Sequence, residues 1–168
     1  YYKLVATPPV VNTARETAIT RAKAGVGFSY WWGHGRFLAS GATASNKGSC
    51  SGNCPSCSHS GSYGGDCSGL AAKAWSLGST DLAVDSHPYS TYNFANQTTA
   101  WKAVSRSSLK KGDALVYNQN GAGHIVIYES GDGWGSFWAY ECKGCAAGCV
   151  KNLRTAGTEY KGITSNRF

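Results

Sequence analysis

Cys67 follows Asp66, and the two open a segment in which Leu70, Ala71, Ala74 and Leu77 share one side at helical spacing until Gly78 stops it. Asp66 is the expected N-cap and Cys67 the first helical residue. A thiol in that place faces backbone N–H groups without partners and the positive end of the helix dipole, and both lower its pKa. That is the setting of a nucleophile. A nucleophile needs a base, and the base needs a group to hold its tautomer. Asp132-Gly133, lying between two apolar runs, is a signal for a two-residue type I′ turn with Gly131 opposite Trp134. Counting back along both strands from that turn sets His124 opposite Glu141, and directly opposed residues share a face of the sheet. Taken singly, each residue has a plainer reading. A cysteine at a helix start is usually a small buried hydrophobe, and a histidine at a strand start a surface polar residue.

The elements that must position these groups can be read from the same chain. Thr13-Ala14-Arg15-Glu16 has the form of a capping box, and Ala14, Ala18 and Ala22 follow at helical spacing to Gly25, which predicts a helix over Ala14 to Ala24. Residues 33 to 65 are rich in Gly, Ser and Asn and poor in apolar side chains, so they read as a long loop held by cysteines. Three strands are expected at Ala114 to Tyr117, His124 to Ser130 and Ser136 to Cys142. Helices first and an antiparallel sheet after is an α+β order. The length of 168 residues fits one domain, expected to span 1–168 with a Cys-rich loop at about 48–60.

Seven cysteines fall as Cys50, Cys54 and Cys57, then Cys67 alone, then Cys142, Cys145 and Cys149. The odd count leaves one thiol out of any intramolecular pairing, and Cys67 stands apart from both clusters. Three disulfides among the other six are expected, at least one joining the two clusters, with no metal and no cofactor. The alternative is a zinc site drawn from the two Cys-x2-Cys pairs, which would suit a reducing compartment. Disulfides place the protein outside the cytosol, secreted. The chain contains no Met, even at position 1, as expected of a processed or trimmed product. No apolar run approaches a membrane span and no signal peptide is evident at the start. A net charge of +7 favours a polyanionic partner. Zinc-finger spacing, a helix-turn-helix pattern and long basic runs are all missing, so nucleic acid is not expected, and bacterial wall polymers are the anionic alternative.

The local sequence is more specific than the residue types. Gly64-Gly65-Asp66-Cys67-Ser68-Gly69-Leu70 resembles the nucleophile motif of the NlpC/P60 cysteine peptidases. Leu109 to Tyr117 resembles the segment that precedes that family's histidine, and His124-Ile125-Val126-Ile127-Tyr128 the histidine strand itself. Tyr30-Trp31-Trp32-Gly33 is similar to the family's tyrosine, any, tryptophan, glycine loop, and Tyr160 to Arg167 to its last strand. The resemblance runs over residues 14 to 168. It implies a papain-like fold, with the Cys-bearing helix packed on an antiparallel sheet. It also implies a monomeric hydrolase of amide bonds in peptidoglycan stem peptides, commonly between D-glutamate and a diamino acid. Carried over, Cys67 is the nucleophile and His124 the base. Tyr30, Trp32, Asp66 and Ser68 line the substrate site, with the aspartate meeting a free amino terminus. The family usually has a histidine at the third position, where this chain offers Glu141; His34 and His59 are rivals for that role. Trp31, Trp32, Trp134 and Trp138 are candidates for a sugar-stacking platform. Three alternatives remain. The same machinery could act on protein amides, as in deamidases and transglutaminases. A CHAP-type amidase would share the residue order but lack the Asp66-Cys67-Ser68-Gly69 run, and an inactive wall-binding module would not need Cys67 and His124.

Overall fold

The computed structural model describes residues 11–168. The first helix, α1, spans Thr13–Ala24. Its N-cap is Asn12 rather than Thr13: the Asn12 side chain accepts the Arg15 N–H at 3.2 Å, so the expected capping box gives way to an amide cap one residue earlier. The predicted long loop contains four short strands, β1 (Gly35–Arg36), β2 (Ser49–Ser51), β3 (Ser58–Ser60) and β4 (Gly64–Gly65). Strand β2 pairs with β3 and β1 with β4.

Helix α2, Cys67–Ala74, is capped by Asp66 as expected, the Asp66 carboxylate accepting the Gly69 N–H at 2.8 Å. It ends four residues before Gly78. Ser76 takes the left-handed conformation at φ 55°, and the Leu77 N–H closes back on the Ala72 carbonyl at 2.9 Å, a turn that terminates the helix without glycine. Leu77 still buries itself in the core. Helix α3, Thr91–Asn96, begins in a true capping box between Ser90 and Asn93.

The main sheet is antiparallel, in the order β5, β10, β6, β7, β8, β9, built from Trp101–Val104, Lys161–Ser165, Ala114–Gln119, Ala122–Gly131, Phe137–Cys142 and Cys149–Arg154. The strands around Ala114, His124, Ser136 and Lys161 match expectation; β5 and β9 were not anticipated. One face carries Ala114, Val116, Ile125, Ile127 and Tyr140 against α1, α2 and α3, and forms the larger core. The other face carries Leu115, Val126, Tyr128, Phe137, Ala139 and Tyr160. The α+β class is therefore as expected. Asp113, buried just before β6, fastens the layers. It accepts Arg15 Nη1 of α1 at 2.9 Å and the Thr164 hydroxyl of β10 at 2.5 Å, while Trp75 donates its indole N–H to the Gly112 carbonyl at 2.8 Å.

The β7–β8 connection departs from the two-residue turn. Asp132 accepts the Trp134 N–H on its side chain and the Gly135 N–H on its carbonyl, so the chain opens into a wider loop. Buried Arg106 donates to the Gly133 carbonyl at 2.9 Å and lies under the Trp134 ring, holding that loop down. Gly131 consequently pairs with Phe137 instead of Trp134. A bulge between Tyr128 and Ser130 takes one residue back, so that Ile127 pairs with Tyr140. Glu141 then lies level with Val126, diagonal to His124 on the same face rather than directly opposite it.

Candidate active site

Tyr30 bridges Gly65, the Trp31 N–H donates to the Gly65 carbonyl at 3.0 Å, and the Gly33 N–H donates to Asp66 Oδ2 at 2.8 Å. These bonds lay the 30–33 segment along the start of α2. Close approach there depends on glycine: a Cβ on Gly69 would stand 2.2 Å from the His34 carbonyl oxygen. A cavity of about 240 Å³ results, lined by Tyr30, Trp32, Asp66, Cys67, Ser68 and His124 among others. Among the described residues Cys67 alone carries a free thiol.

The Cys67 thiol does not have the lowered pKa that its helical position predicted. Burial and the neighbouring Asp66 carboxylate push it up to about 12, against the backbone N–H groups of Ile125, Ser68 and Cys67 itself, which pull the other way. The helix-start effect exists and is outweighed.

His124 Nε2 lies 2.9 Å from Glu141 Oε1. A carboxylate only accepts, so Nε2 carries a proton and donates it to Glu141, which leaves Nδ1 as the ring nitrogen turned to other partners. The carboxylate is buried and fully partnered: Oε1 also accepts Arg154 Nη1 at 2.7 Å, and Oε2 accepts Asn152 Nδ2 at 2.9 Å. Burial alone would raise its pKa; the bonds from His124 and Asn152 and the Arg154 charge reverse that and hold it at about 2. Asn152 and Arg154 were missed with β9. The polar alternation Asn152, Arg154 within Cys149–Arg154 was the available signal, since it puts both side chains on the Glu141 face.

Asp66 Oδ1 accepts His87 Nε2 at 2.9 Å, Ser68 Oγ at 3.2 Å and the Gly69 N–H. His87 also lines the cavity and was not singled out in the sequence, for it sits in a polar stretch with no pattern around it. The hydrogen bond to Asp66 raises its pKa against the effect of burial. Tyr30 is likewise shifted up, by burial and then by Cys67 and Asp66. Trp32 is half exposed at the rim.

Other candidates have partners elsewhere. His34 Nδ1 pairs with Asp85 at 2.6 Å, and His59 Nε2 donates to the Tyr63 carbonyl at 3.0 Å, the two rings sandwiching Trp31 at 3.9 and 4.3 Å. The expected tryptophan platform is divided among separate neighbours, Trp134 over Arg106 and Trp138 beside Lys151. Disulfides join Cys50 to Cys145, Cys54 to Cys57 and Cys142 to Cys149, so one of them crosses between the two clusters. Among the described residues no helix is long and apolar enough to cross a membrane.

No protein-family model matches the chain. It is 30% identical over 115 residues to the peptidoglycan endopeptidase RipA of Mycobacterium tuberculosis, an alignment covering 68% of this chain and 20% of that protein. The chain thus spans about a fifth of the relative's length. Its structure is similar to that of the peptidoglycan hydrolase RipB of M. tuberculosis, with a TM-score of 0.55 and 22% identity over 91% of this chain and 64% of that one. It is also similar to the P60 domain of the M. avium subspecies paratuberculosis antigen MAP1204, with a TM-score of 0.54 and 20% identity over 92% of this chain and 96% of that one. Helix α2 packed on an antiparallel sheet that carries His124, together with these likenesses, gives the chain the fold of the NlpC/P60 family.

Proposed function

We propose that this chain is a secreted cysteine peptidase that hydrolyses amide bonds in bacterial peptidoglycan stem peptides, acting as one catalytic domain over residues 1–168, as a monomer and without a cofactor. The observation that carries the reading is a free thiol at a helix start sharing a cavity with an imidazole whose Nε2 is tied to a buried carboxylate. In this reading His124 works as a general base: Nδ1 takes the Cys67 proton as sulfur attacks the substrate carbonyl. The resulting oxyanion is served by backbone N–H groups at the start of α2. The imidazolium, stabilised by Glu141, then protonates the leaving amine. Water activated by His124 cleaves the thioester and restores the thiol. The names of the RipA and RipB relatives support peptidoglycan as the substrate class. Tyr30, Trp32, Asp66 and Ser68 would receive the stem peptide, and Asp66 Oδ2, bonded to the Gly33 N–H, faces a substrate ammonium best. The bond between D-glutamate and the diamino acid is the proposed target.

Cys67→Ala should abolish hydrolysis and leave the fold unchanged, since one sulfur at a helix start contributes little packing. Purified muropeptides incubated with parent and variant, followed by mass spectrometry, locate the cut and score its loss. More than trace activity in purified Cys67→Ala would sink the mechanism.

A further inference from the structure

The sulfur atoms of Cys50, Cys54, Cys57 and Cys145 all lie within 4.8 Å of one another. In the oxidised chain they form two disulfides, with Cys54 and Cys145 in contact across them at 3.8 Å. A tetrahedral zinc–tetrathiolate has Zn–S bonds of about 2.3 Å and hence sulfur–sulfur edges of about 3.8 Å. Two disulfides on a surface need no such gathering of four sulfurs about one point; a metal does. We propose that Cys50, Cys54, Cys57 and Cys145, when reduced, form a site for one thiophilic divalent cation, Zn²⁺.

The ligand set is not the pair of Cys-x2-Cys units that the sequence offered as its zinc alternative. Cys142 is spoken for by Cys149 in a separate, buried disulfide. Instead the Cys50-x3-Cys54-x2-Cys57 loop supplies three thiolates and the 143–147 turn supplies the fourth. Gly52, at φ 89°, lets the first loop curl onto itself; a Cβ there would already touch the Cys57 backbone at 3.4 Å. All four residues are half-buried rather than sealed in the core. Two disulfides take four electrons to open: two equivalents of a trialkylphosphine, each gaining oxygen from one water, return four thiols. Binding Zn²⁺ then releases four protons and leaves a site of net charge −2. Lys47 and Lys143 line cavities beside these cysteines and offset that charge.

The site also bears on the cleft. Tyr30, Trp32 and Lys143 line both the catalytic cavity and the neighbouring cavity walled by Cys54 and Cys145. A cysteine hydrolase needs its nucleophile reduced, and the reductant that keeps it so also opens half-exposed disulfides. Zinc would hold the same two loops together under that condition. The metal site rests on sulfur positions alone; only this link to catalysis rests on the reading of Cys67 as nucleophile.

The test is metal stoichiometry on the whole chain. The protein is reduced anaerobically with a phosphine, freed of metal and titrated with Zn²⁺ against a chromophoric chelator. Co²⁺ serves as the spectroscopic probe, reporting thiolate charge-transfer and tetrahedral bands. One Zn²⁺ per chain is expected. Cys54→Ser and Cys145→Ser should each weaken binding by about 100-fold, and Cys67→Ser and Cys149→Ser should retain it. If the reduced chain unfolds without metal, Zn²⁺ should restore its near-ultraviolet circular dichroism in the parent and not in Cys54→Ser. Substoichiometric zinc on a folded reduced chain, failure of zinc to refold an unfolded one, or binding indifferent to Cys54 and Cys145 would each overturn the site. A second titration reads muropeptide hydrolysis by the zinc-loaded chain. Its failure would count against the catalytic link and leave the metal stoichiometry standing.

Discussion

Glu141 is the third member of the catalytic group in this reading, yet Arg154 and Asn152 share its oxygens with His124. Its role is therefore to fix the ring as much as to attract a proton. Glu141→Gln keeps an amide oxygen for the His124 N–H and should lower kcat by about 10-fold; Glu141→Ala removes it and should cost about 100-fold or more. The alanine variant also takes from Arg154 its buried partner and so lowers stability, so rates must be compared per folded molecule. An alanine variant as active as the parent would dismiss Glu141 from the mechanism. The same carboxylate gives a pH prediction. Its folded pKa of about 2 lies below the ordinary 4.5, so its contribution to stability is complete above 4.5 and is lost as pH falls toward 2. Thermal unfolding followed from pH 6 down to pH 2.5 should show a steeper loss of Tm in the parent than in Glu141→Gln. His87 works in the opposite sense: raised by Asp66, it stabilises the fold at low pH and stops doing so as pH climbs past its raised value.

Strand register decides which side chains meet, and β8 offers a clean check. Tyr140 points into the helix-side core while Glu141 faces the other way. Its hydroxyl is buried near Glu129, which with burial raises its pKa, and Glu129 keeps Lys151 at 2.9 Å as another partner. Tyr140→Phe should leave kcat unchanged and alter stability by about 1 kcal/mol or less, by denaturant unfolding. A rate loss greater than about 10-fold would mean the faces were assigned wrongly. The proximity of His124 and Glu141 was legible in the sequence, although the turn behind it was not. The loop set by Asp132 displaces the pairing at Gly131 by three residues, an odd number that would send Glu141 to the wrong face. The bulge between Tyr128 and Ser130 returns one, and the even remainder restores the face. No local pattern announces that bulge, because Glu129 reads as an ordinary polar strand residue. The Asp66 cap was plain because the accepting side chain and its N–H donor at Gly69 are neighbours in sequence. The Cys67 pKa was not, because burial depends on what packs over the helix from far along the chain. His87 was illegible for the same reason, as it acquires meaning only through a distant carboxylate, whereas Asn152 and Arg154 left a trace in the polar alternation of β9.

At the scale of the molecule, the Cys50–Cys145 link closes a covalent circle across 95 positions of sequence, and Cys67, His124 and Glu141 all lie inside it. The exposed stretch around Gln97 to Thr99 divides that circle, leaving the thiol on one arc and the imidazole with its carboxylate on the other. Limited proteolysis there should therefore yield a two-chain enzyme that runs as a single 17.7 kDa species without reductant, separates into two bands with it, and still turns over substrate while the link is intact. Loss of activity on nicking alone would mean that the backbone at 97–99, and not the cross-link, keeps the arcs in register. Topologically residues 50 to 145 form a closed ring, so one cut at 97–99 opens the ring without releasing either arc, and the chain's continuity passes from the peptide bond to a sulfur–sulfur bond.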